Sequence, residues 1–215
     1  MKKIIIAFLL LLPLSGMIAQ NNLASVFLDT PSDILFGLDK TQKEILLSDH
    51  EDSVFISDHM LYDEMRRLSI SDDYISLQTS VVGNTQIKLL PLINNSNIIC
   101  VVKTVCGKMC DSQIAFYTME WEKIVQTDLF PRISADRFMR TDIDATDQNY
   151  RNAVAALDLC PLTITLSPDE DTAAVGYDIK NHLSEKDYNL LQPFLTEKTK
   201  VLIWDKAGFK ERTAN

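Results

Sequence analysis

The sequence predicts an α+β protein with an antiparallel β-meander at about residues 74–119, a C-terminal hairpin and strand, and short helices packed on the sheet. Three observations predict it. Apolar runs of strand length alternate with turn residues between 74 and 119. A second alternating region begins at Leu162, and the helix-start signals lie outside both regions. Helices segregated from antiparallel strands define the α+β class.

The first 19 residues predict a secretory signal peptide. Lys2 and Lys3 precede an apolar run that ends at Leu12, and Ala19 stands before the expected cleavage site. A basic segment, a short apolar segment and a small residue at the cut are the parts of such a signal. The run is about half of the roughly 20 apolar residues that a spanning helix needs. We therefore expect a cleaved signal at 1–19 and a mature chain without a transmembrane segment, in the periplasm or secreted.

The mature chain, 20–215, is expected to form a single domain. A division into two sub-halves, 20–121 and 122–215, stays open because both share a helix-then-hairpin order. The formal net charge of −9 opposes binding to nucleic acid or to anionic lipid. Six glycines are few for a protein built on glycine-rich phosphate loops, and no cofactor is expected.

Two helix starts open the mature chain. Thr30 can cap a helix with Pro31 in its first turn, and Thr41 with Glu44 has the spacing of a capping box. These signals predict two short helices, or one bent helix, over 31–49. Residues 50–70 are ambiguous, with helical spacing of Met60, Leu61, Met65 and Leu68 in a charged segment.

Four strands are predicted in the meander. Strands at 74–82 and 85–92 flank Gly83-Asn84, which we interpret as a two-residue hairpin turn. Residues 98–102 are apolar on both faces, as in a central strand. A further turn at Gly107 leads to the fourth strand, which ends near Trp121.

The second half is predicted to carry helices at 134–139 and 149–159 and a hairpin formed by 162–166 and 172–179. Residues 167–171 are its turn. The strongest helix start of the chain follows, where Ser184 is the expected cap and Asp187 stands three residues later. Residues 200–204 form the last predicted strand.

The four cysteines are Cys100, Cys106, Cys110 and Cys160. Disulfides persist in exported proteins, and four cysteines allow three pairings. A disulfide between Cys106 and Cys110 would close the predicted turn at Gly107. Buried free thiols and redox or metal chemistry are the alternatives, although the spacing is not that of thiol oxidoreductases. Cys100 lies in an apolar run and is expected in the core.

Several short motifs resemble a family of secreted proteins of unknown function found in Bacteroidales. They are KLLPL (88–92), IICVVKTV (98–105), DSQIAFY (111–117) with Trp121, SDDY (71–74), LSPD (166–169) and LSEKD (183–187). The resemblance covers most of the mature chain and is weakest at 50–70 and 122–150. It implies a location outside the cytoplasm and supplies no catalytic or binding residue.

No motif in the chain carries a recognised chemistry. The three histidines, His50, His59 and His182, form no zinc-binding spacing, and no metal is expected. Asp142 and Asp144 resemble the start of a calcium loop, but Asp147 and Ala153 replace the required glycine and glutamate.

An acidic pair, an acidic triplet and two tryptophans each have a structural and a functional interpretation. Asp72-Asp73 and Asp169-Glu170-Asp171 suit polar turns, and they could also converge in the fold as paired carboxylates. Trp121 and Trp204 suit packing in the core better than a sugar-binding face.

The favoured hypothesis is a non-enzymatic, exported binding or interaction module whose partner is an envelope protein or a glycan. The alternative is a cell-envelope hydrolase whose acidic residues converge in a cleft. This alternative requires a deep cleft with two close carboxylates, or a histidine–carboxylate pair with a perturbed pKa.

Overall fold

The fold is described from a computed structural model, which covers residues 22–48, 55–59, 62–126, 128–155, 157, 159–196 and 199–212. The predicted signal peptide lies outside these residues. Among the described residues, no helix combines the length and the apolar composition needed to cross a membrane.

Eleven strands and four α-helices are present in the described residues. The helices are α1 (Leu23–Leu28), α2 (Lys40–Leu47), α3 (Gln148–Ala155) and α4 (Glu185–Leu191). The first seven strands are β1 (Phe55–His59), β2 (Tyr62–Ile70), β3 (Tyr74–Gln78), β4 (Gly83–Pro91), β5 (Asn97–Cys106), β6 (Cys110–Tyr117) and β7 (Lys123–Ile124). The last four are β8 (Leu162–Leu166), β9 (Thr172–Tyr177), β10 (Lys200–Trp204) and β11 (Phe209–Glu211). Short 3-10 helices occupy Ala135–Phe138 and Gln192–Phe194.

The strands form two antiparallel sheets, so the predicted α+β class is confirmed. Sheet 1 contains β1 to β7 in chain order, and sheet 2 has the order β11-β10-β9-β8. The meander is longer than predicted, because β1 and β2 precede it and β7 follows it. Met65 is buried at 1 % exposure on β2. The helical spacing of the ambiguous segment was therefore accidental, and Met60 and Leu61 lie outside the described residues.

Sheet 1 is apolar on both faces. On β5, Ile99 and Val101 pack with α1 and α2 in one core cluster, whereas Ile98, Cys100 and Val102 pack with sheet 2 in another. The prediction of a central strand buried on both faces, with Cys100 in the core, is thus confirmed. A third, smaller cluster joins Ala153 of α3 with Leu191 of α4.

The turn between β3 and β4 was placed wrongly from the sequence. Gly83 and Asn84 belong to β4, and the chain turns at residues 79–82, where the Thr79 amide donates to the Gly83 carbonyl over 2.9 Å. Glycine at this position leaves room for two neighbouring hydroxyl groups. A Cβ atom on Gly83 would lie 2.7 Å from Ser80 Oγ and 2.9 Å from Thr79 Oγ1.

The helix starts were predicted with mixed success. Asp39 and Gln42 form the capping box of α2, not Thr41 and Glu44, so that helix begins at Lys40. Residues 31–37 form turns, and α1 was missed. The cap of α4 is confirmed, because Ser184 Oγ accepts the amide of Asp187.

The two sheets are joined edge to face. Strand β8 is an edge of sheet 2, and its alternate amides donate to side chains that project from β4 and β6 of sheet 1. These bonds run from Leu162 N to Asp111 Oδ1 (3.1 Å), from Ile164 N to Ser112 Oγ (3.0 Å) and from Leu166 N to Gln86 Oε1 (2.8 Å). The Gln86 amide nitrogen also donates to the Ile164 carbonyl over 3.1 Å. We call this arrangement the Gln86 joint.

Candidate functional site

Two acidic segments that are far apart in the sequence meet at one buried lysine. Lys88 Nζ lies 2.9 Å from Asp73 Oδ2 and 3.8 Å from Asp171 Oδ1. The lysine side chain is 1 % exposed, whereas the two aspartate side chains are 40 % and 37 % exposed. The carboxylates therefore face solvent on one side and share a single ammonium group on the other.

Strand register and turn geometry explain this meeting. Tyr74 pairs with Lys88 across β3 and β4, and the Leu89 amide donates to the Asp73 carbonyl over 2.8 Å. This pairing places Asp73 beside the lysine. Asp171 immediately precedes β9, and its carbonyl accepts the Trp204 amide over 2.8 Å.

A hydroxyl group ties the two acidic turns together. Ser71 Oγ lies 3.1 Å from Asp73 Oδ1 and 3.3 Å from the Pro168 carbonyl oxygen, in the turn that leads to Asp171. Within that second turn, Ser167 Oγ accepts the amides of Asp169 and Glu170. The predicted polar turn at 167–171 is confirmed, and it orients Asp171 toward sheet 1.

Burial sets the electrostatics of the site. It raises the pKa of the Asp171 carboxyl above its ordinary value of 3.8; the Lys88 charge opposes this shift and the Asp73 charge adds to it. Burial likewise raises the pKa of Tyr74, whose ring centroid lies 6.0 Å from Lys88 Nζ, and the pKa of the Cys100 thiol.

The carboxylates form part of the wall of an open cleft at one end of sheet 1. Its volume is about 860 Å³, and we call it the acidic cleft. It lies where α1 begins, where β4 ends and where β2 turns into β3. Its polar lining residues are Asn22, Ser71, Asp72, Asp73, Asn97 and Asp171, and apolar walls are provided by Leu23, Leu47, Ile70, Leu89 and Pro91.

The chemistry of the acidic cleft follows from its charges. Three carboxylates against one ammonium leave the lining net negative, and two of the three are held in contact with Lys88. The oxygen lone pairs that these carboxylates do not share with Lys88 accept hydrogen bonds from a partner. No group of three or more potential metal ligands occurs within the described residues.

The other predicted site residues do not converge on the acidic cleft. Asp142 pairs with Arg140 over 2.6 Å, and Asp144 accepts the Thr146 amide in a local turn. His182 lies in the turn after β9, while His50 and the side chain of His59 fall outside the described part.

Both tryptophans pack into the structure and neither forms a sugar-binding face. Trp204 is 5 % exposed and its indole donates to the Pro91 carbonyl over 2.7 Å, while the half-buried Trp121 donates to the Val26 carbonyl over 3.0 Å.

The structure joins Cys106 and Cys110 in a disulfide at the tip of the β5–β6 hairpin, where the two residues are register partners. The Cys110 amide donates to Asp178 Oδ2 over 2.6 Å, which links this hairpin to sheet 2. Cys100 and Cys160 are free thiols; the first is buried and the second is half-buried.

Lys88 was not identified as a site residue from the sequence. A signal was present, because Lys88 interrupts the apolar run of Ile87, Leu89 and Leu90. A charged residue on a strand that is buried on both faces requires a partner of opposite charge. Asp171, however, is 83 positions away, and only the packing of the two sheets brings it close.

Comparisons with known proteins agree with this fold. A family model described as "Protein of unknown function (DUF3256)" matches residues 15–209. The chain is also similar to a solved structure described as "Structure of a domain of an uncharacterized protein from Porphyromonas gingivalis W83". The TM-score is 0.79 at 25 % identity, over 89 % of this chain and 98 % of that one. No curated protein matches the chain.

Proposed function

The chain belongs to the DUF3256 family of proteins of unknown function, and we propose that it is an exported, non-enzymatic binding module of the cell envelope. Its partner is an envelope protein that places a basic side chain in the acidic cleft. The observation that carries this proposal is the state of the converged carboxylates. Asp73 and Asp171 both contact Lys88, so the two carboxylates are held in place in the wall of the cleft. Together with Lys88 they carry a net negative charge that can bind a cation.

Export is supported by two independent features. The basic and apolar segments before Ala19 have the composition of a secretory signal. The disulfide between Cys106 and Cys110 belongs to the class of bond that persists in oxidising compartments outside the cytoplasm.

The lining of the acidic cleft favours a cationic partner with adjacent apolar groups. Asp72 is exposed and carries a negative charge at the rim, while Leu23 and Ile70 supply apolar wall. The aliphatic stem of a lysine or arginine buries well against such apolar surface while its charged head remains near carboxylates. The net charge of −9 also favours encounter with basic proteins.

Site-specific crosslinking in cells tests the proposal. A photo-reactive residue replaces Asn97 at the rim, and the full chain is expressed in its native envelope. We expect one protein to be crosslinked, and we expect Asp72→Lys to abolish the crosslink by reversing the charge at the rim. Asp144→Lys is the matched control, because Asp144 is an exposed turn aspartate outside the cleft lining.

Three outcomes of the crosslinking experiment would overturn the basic-partner assignment. They are an absent crosslink, a crosslink to glycan alone, and a protein crosslink that survives Asp72→Lys unchanged. Each would show that the rim charge does not recruit a basic protein.

The hydrolase alternative meets one of its requirements, since two carboxylates do converge in a cleft. Lys88 argues against it, because its ammonium group lies between the two carboxylates, 2.9 Å from Asp73 and 3.8 Å from Asp171, where a substrate bond would have to lie. Purified mature protein is therefore expected to release no product from isolated cell-wall glycan or from chromogenic esters. Product release that is abolished by Asp171→Asn would establish the hydrolase instead.

A further inference from the structure

A second concave site lies at the C-terminal end of β9, whereas Asp171 of the acidic cleft precedes that strand, and the two sites share no lining residue. It is a pocket of about 310 Å³ between β8, β9, the end of α4 and the 3-10 helix at Ala135–Phe138. We call it the outer pocket. Its lining includes Phe138, Thr163, Gly176, Tyr177, Tyr188 and Gln192. Its volume is at the lower limit of ligand pockets, which suits one small ring and not a long chain.

Aromatic rings shape the outer pocket. Tyr177 stacks on Phe138 with ring centroids 5.2 Å apart and planes inclined by 20°, so its orientation is fixed. Tyr188 also lines the pocket, and Lys180 Nζ approaches its ring centroid to 5.7 Å. Rigid aromatic surface of this kind packs against the C–H faces of a sugar ring.

Polar groups that both donate and accept hydrogen bonds accompany the rings. Thr163 and Gln192 line the pocket, and neither side chain makes a hydrogen bond within the part of the chain that the structure describes. Hydroxyl and amide groups match the mixed donor and acceptor character of sugar hydroxyls.

Gly176 lines the outer pocket beside Thr163, its register partner on β8. A Cβ atom there would lie 2.5 Å from Thr163 Oγ1, so a larger residue would displace the threonine hydroxyl. Glycine therefore leaves that hydroxyl in place as part of the pocket lining.

Charge in the outer pocket is balanced, unlike the charge in the acidic cleft. Asp178 and Lys180 both belong to the lining. Asp178 is anchored by the Cys110 amide at one oxygen and by Asn181 Nδ2 at the other, over 3.1 Å. A balanced lining disfavours a strongly charged ligand.

We propose that the outer pocket binds one neutral pyranose unit of an envelope glycan. The rigid ring of Tyr177 and the ring of Tyr188 contact the apolar faces of the sugar, and Gln192 and Thr163 bind its hydroxyl groups. This site is separate from the acidic cleft and does not depend on a protein partner.

The test is a titration of the isotope-labelled mature chain with glucose, galactose, mannose and N-acetylglucosamine, followed by amide NMR shifts. At least one sugar is expected to bind with a dissociation constant on the order of 1 mM, with the largest shifts at Gly176 and Thr163. Gln192→Ala is expected to weaken that binding about tenfold through lost hydrogen bonds. Tyr188→Ala is expected to weaken it at least as much.

Matched controls separate the pocket from the rest of the surface. Gln126→Ala and Tyr150→Ala remove an exposed glutamine and a half-buried tyrosine outside the pocket lining. These variants are expected to bind as the unchanged protein does. Gln192 is exposed, so its variant is expected to fold even if Tyr188→Ala does not.

Two results would overturn the sugar site. One is the absence of saturable shifts for all four sugars at concentrations several-fold above the expected constant. The other is binding that Gln192→Ala leaves unchanged, with shifts that map away from Gly176. Neither result bears on the crosslinking test at the acidic cleft.

Discussion

At the scale of single residues, Lys88 carries a full positive charge between two sheets. Its ammonium group depends on Asp73 at 2.9 Å far more than on Asp171 at 3.8 Å. Removing the nearer partner leaves a buried cation with weak compensation, which is a costly state. The two aspartates are therefore expected to differ in their contribution to stability.

Asp73→Asn is expected to lower the free energy of unfolding by about 1–3 kcal/mol. Asp171→Asn is expected to change it little at neutral pH, because burial already disfavours the charged form of that carboxyl. The measurement is urea denaturation of the mature protein. Asp72→Asn serves as the control, because this exposed neighbour has no contact with Lys88 and should change stability by under about 0.5 kcal/mol. Equal costs at all three positions would refute this account of the lysine.

The contribution of Asp171 to stability is expected to depend on pH. The pKa of the Asp171 carboxyl is raised in the fold from 3.8, so the folded state binds this proton more tightly than the unfolded chain. Its stabilising contribution is present below about pH 3.8 and is lost as the pH rises through the folded pKa. The free energy of unfolding of the unchanged protein, relative to that of Asp171→Asn, should therefore fall as the pH rises above about 3.8. A difference that does not change with pH would contradict the raised pKa of Asp171.

At the scale of elements, Gln86 is the side chain of the Gln86 joint that bonds to β8 at two points. Gln86 Oε1 accepts the Leu166 amide and the Tyr74 hydroxyl, the latter over 3.2 Å, while its nitrogen donates to the Ile164 carbonyl. Gln86→Leu would leave buried backbone groups unpaired and is expected to cost about 2 kcal/mol or more.

Gln113→Leu is the matched control for the Gln86 joint, since Gln113 is exposed on β6 of the same sheet. Thermal and urea denaturation of both variants provide the comparison. If the two substitutions had the same effect, the joint would not be a determinant of sheet packing.

Elements specified by neighbouring residues were predictable, and those specified by distant ones were not. Ser184 caps α4 because its partner Asp187 is three residues away, and the meander was visible because each strand pairs with the next. The turn was wrongly placed at Gly83 because glycine is typical of hairpin turns. Here Gly83 lies in β4 and leaves room for neighbouring hydroxyl groups instead. Asp73 was identified, but its meeting with Asp171 depends on how sheet 2 docks.

At the scale of the whole molecule, the chain belongs to the DUF3256 family and its fold is similar to that of the Porphyromonas gingivalis domain. The resemblance to an uncharacterised family is confirmed in that sense. Secretion and the division at residue 121 stay predictions. Export would give the mature chain a new N-terminus and an oxidised hairpin, and both can be observed in one experiment.

Protein purified from the native envelope is expected to begin at Gln20 by intact mass. Alkylation in denaturant should label two thiols, Cys100 and Cys160, and should label four after reduction, because Cys106 and Cys110 are paired. Protein retained in the cytoplasm by deletion of 2–19 is the control. An uncleaved N-terminus would contradict the signal prediction, and four labelled thiols before reduction would contradict the pairing.

The way in which β8 ends sheet 2 also limits how copies of the chain can associate. An edge strand with unpaired amides acts as a template on which another chain adds a strand, and such growth leads to fibrils. In β8, the alternate amides at Leu162, Ile164 and Leu166 are already bonded to Asp111, Ser112 and Gln86. This edge is therefore closed to a strand from a neighbouring molecule, which protects the protein against aggregation through the β8 edge of sheet 2 even when it is crowded.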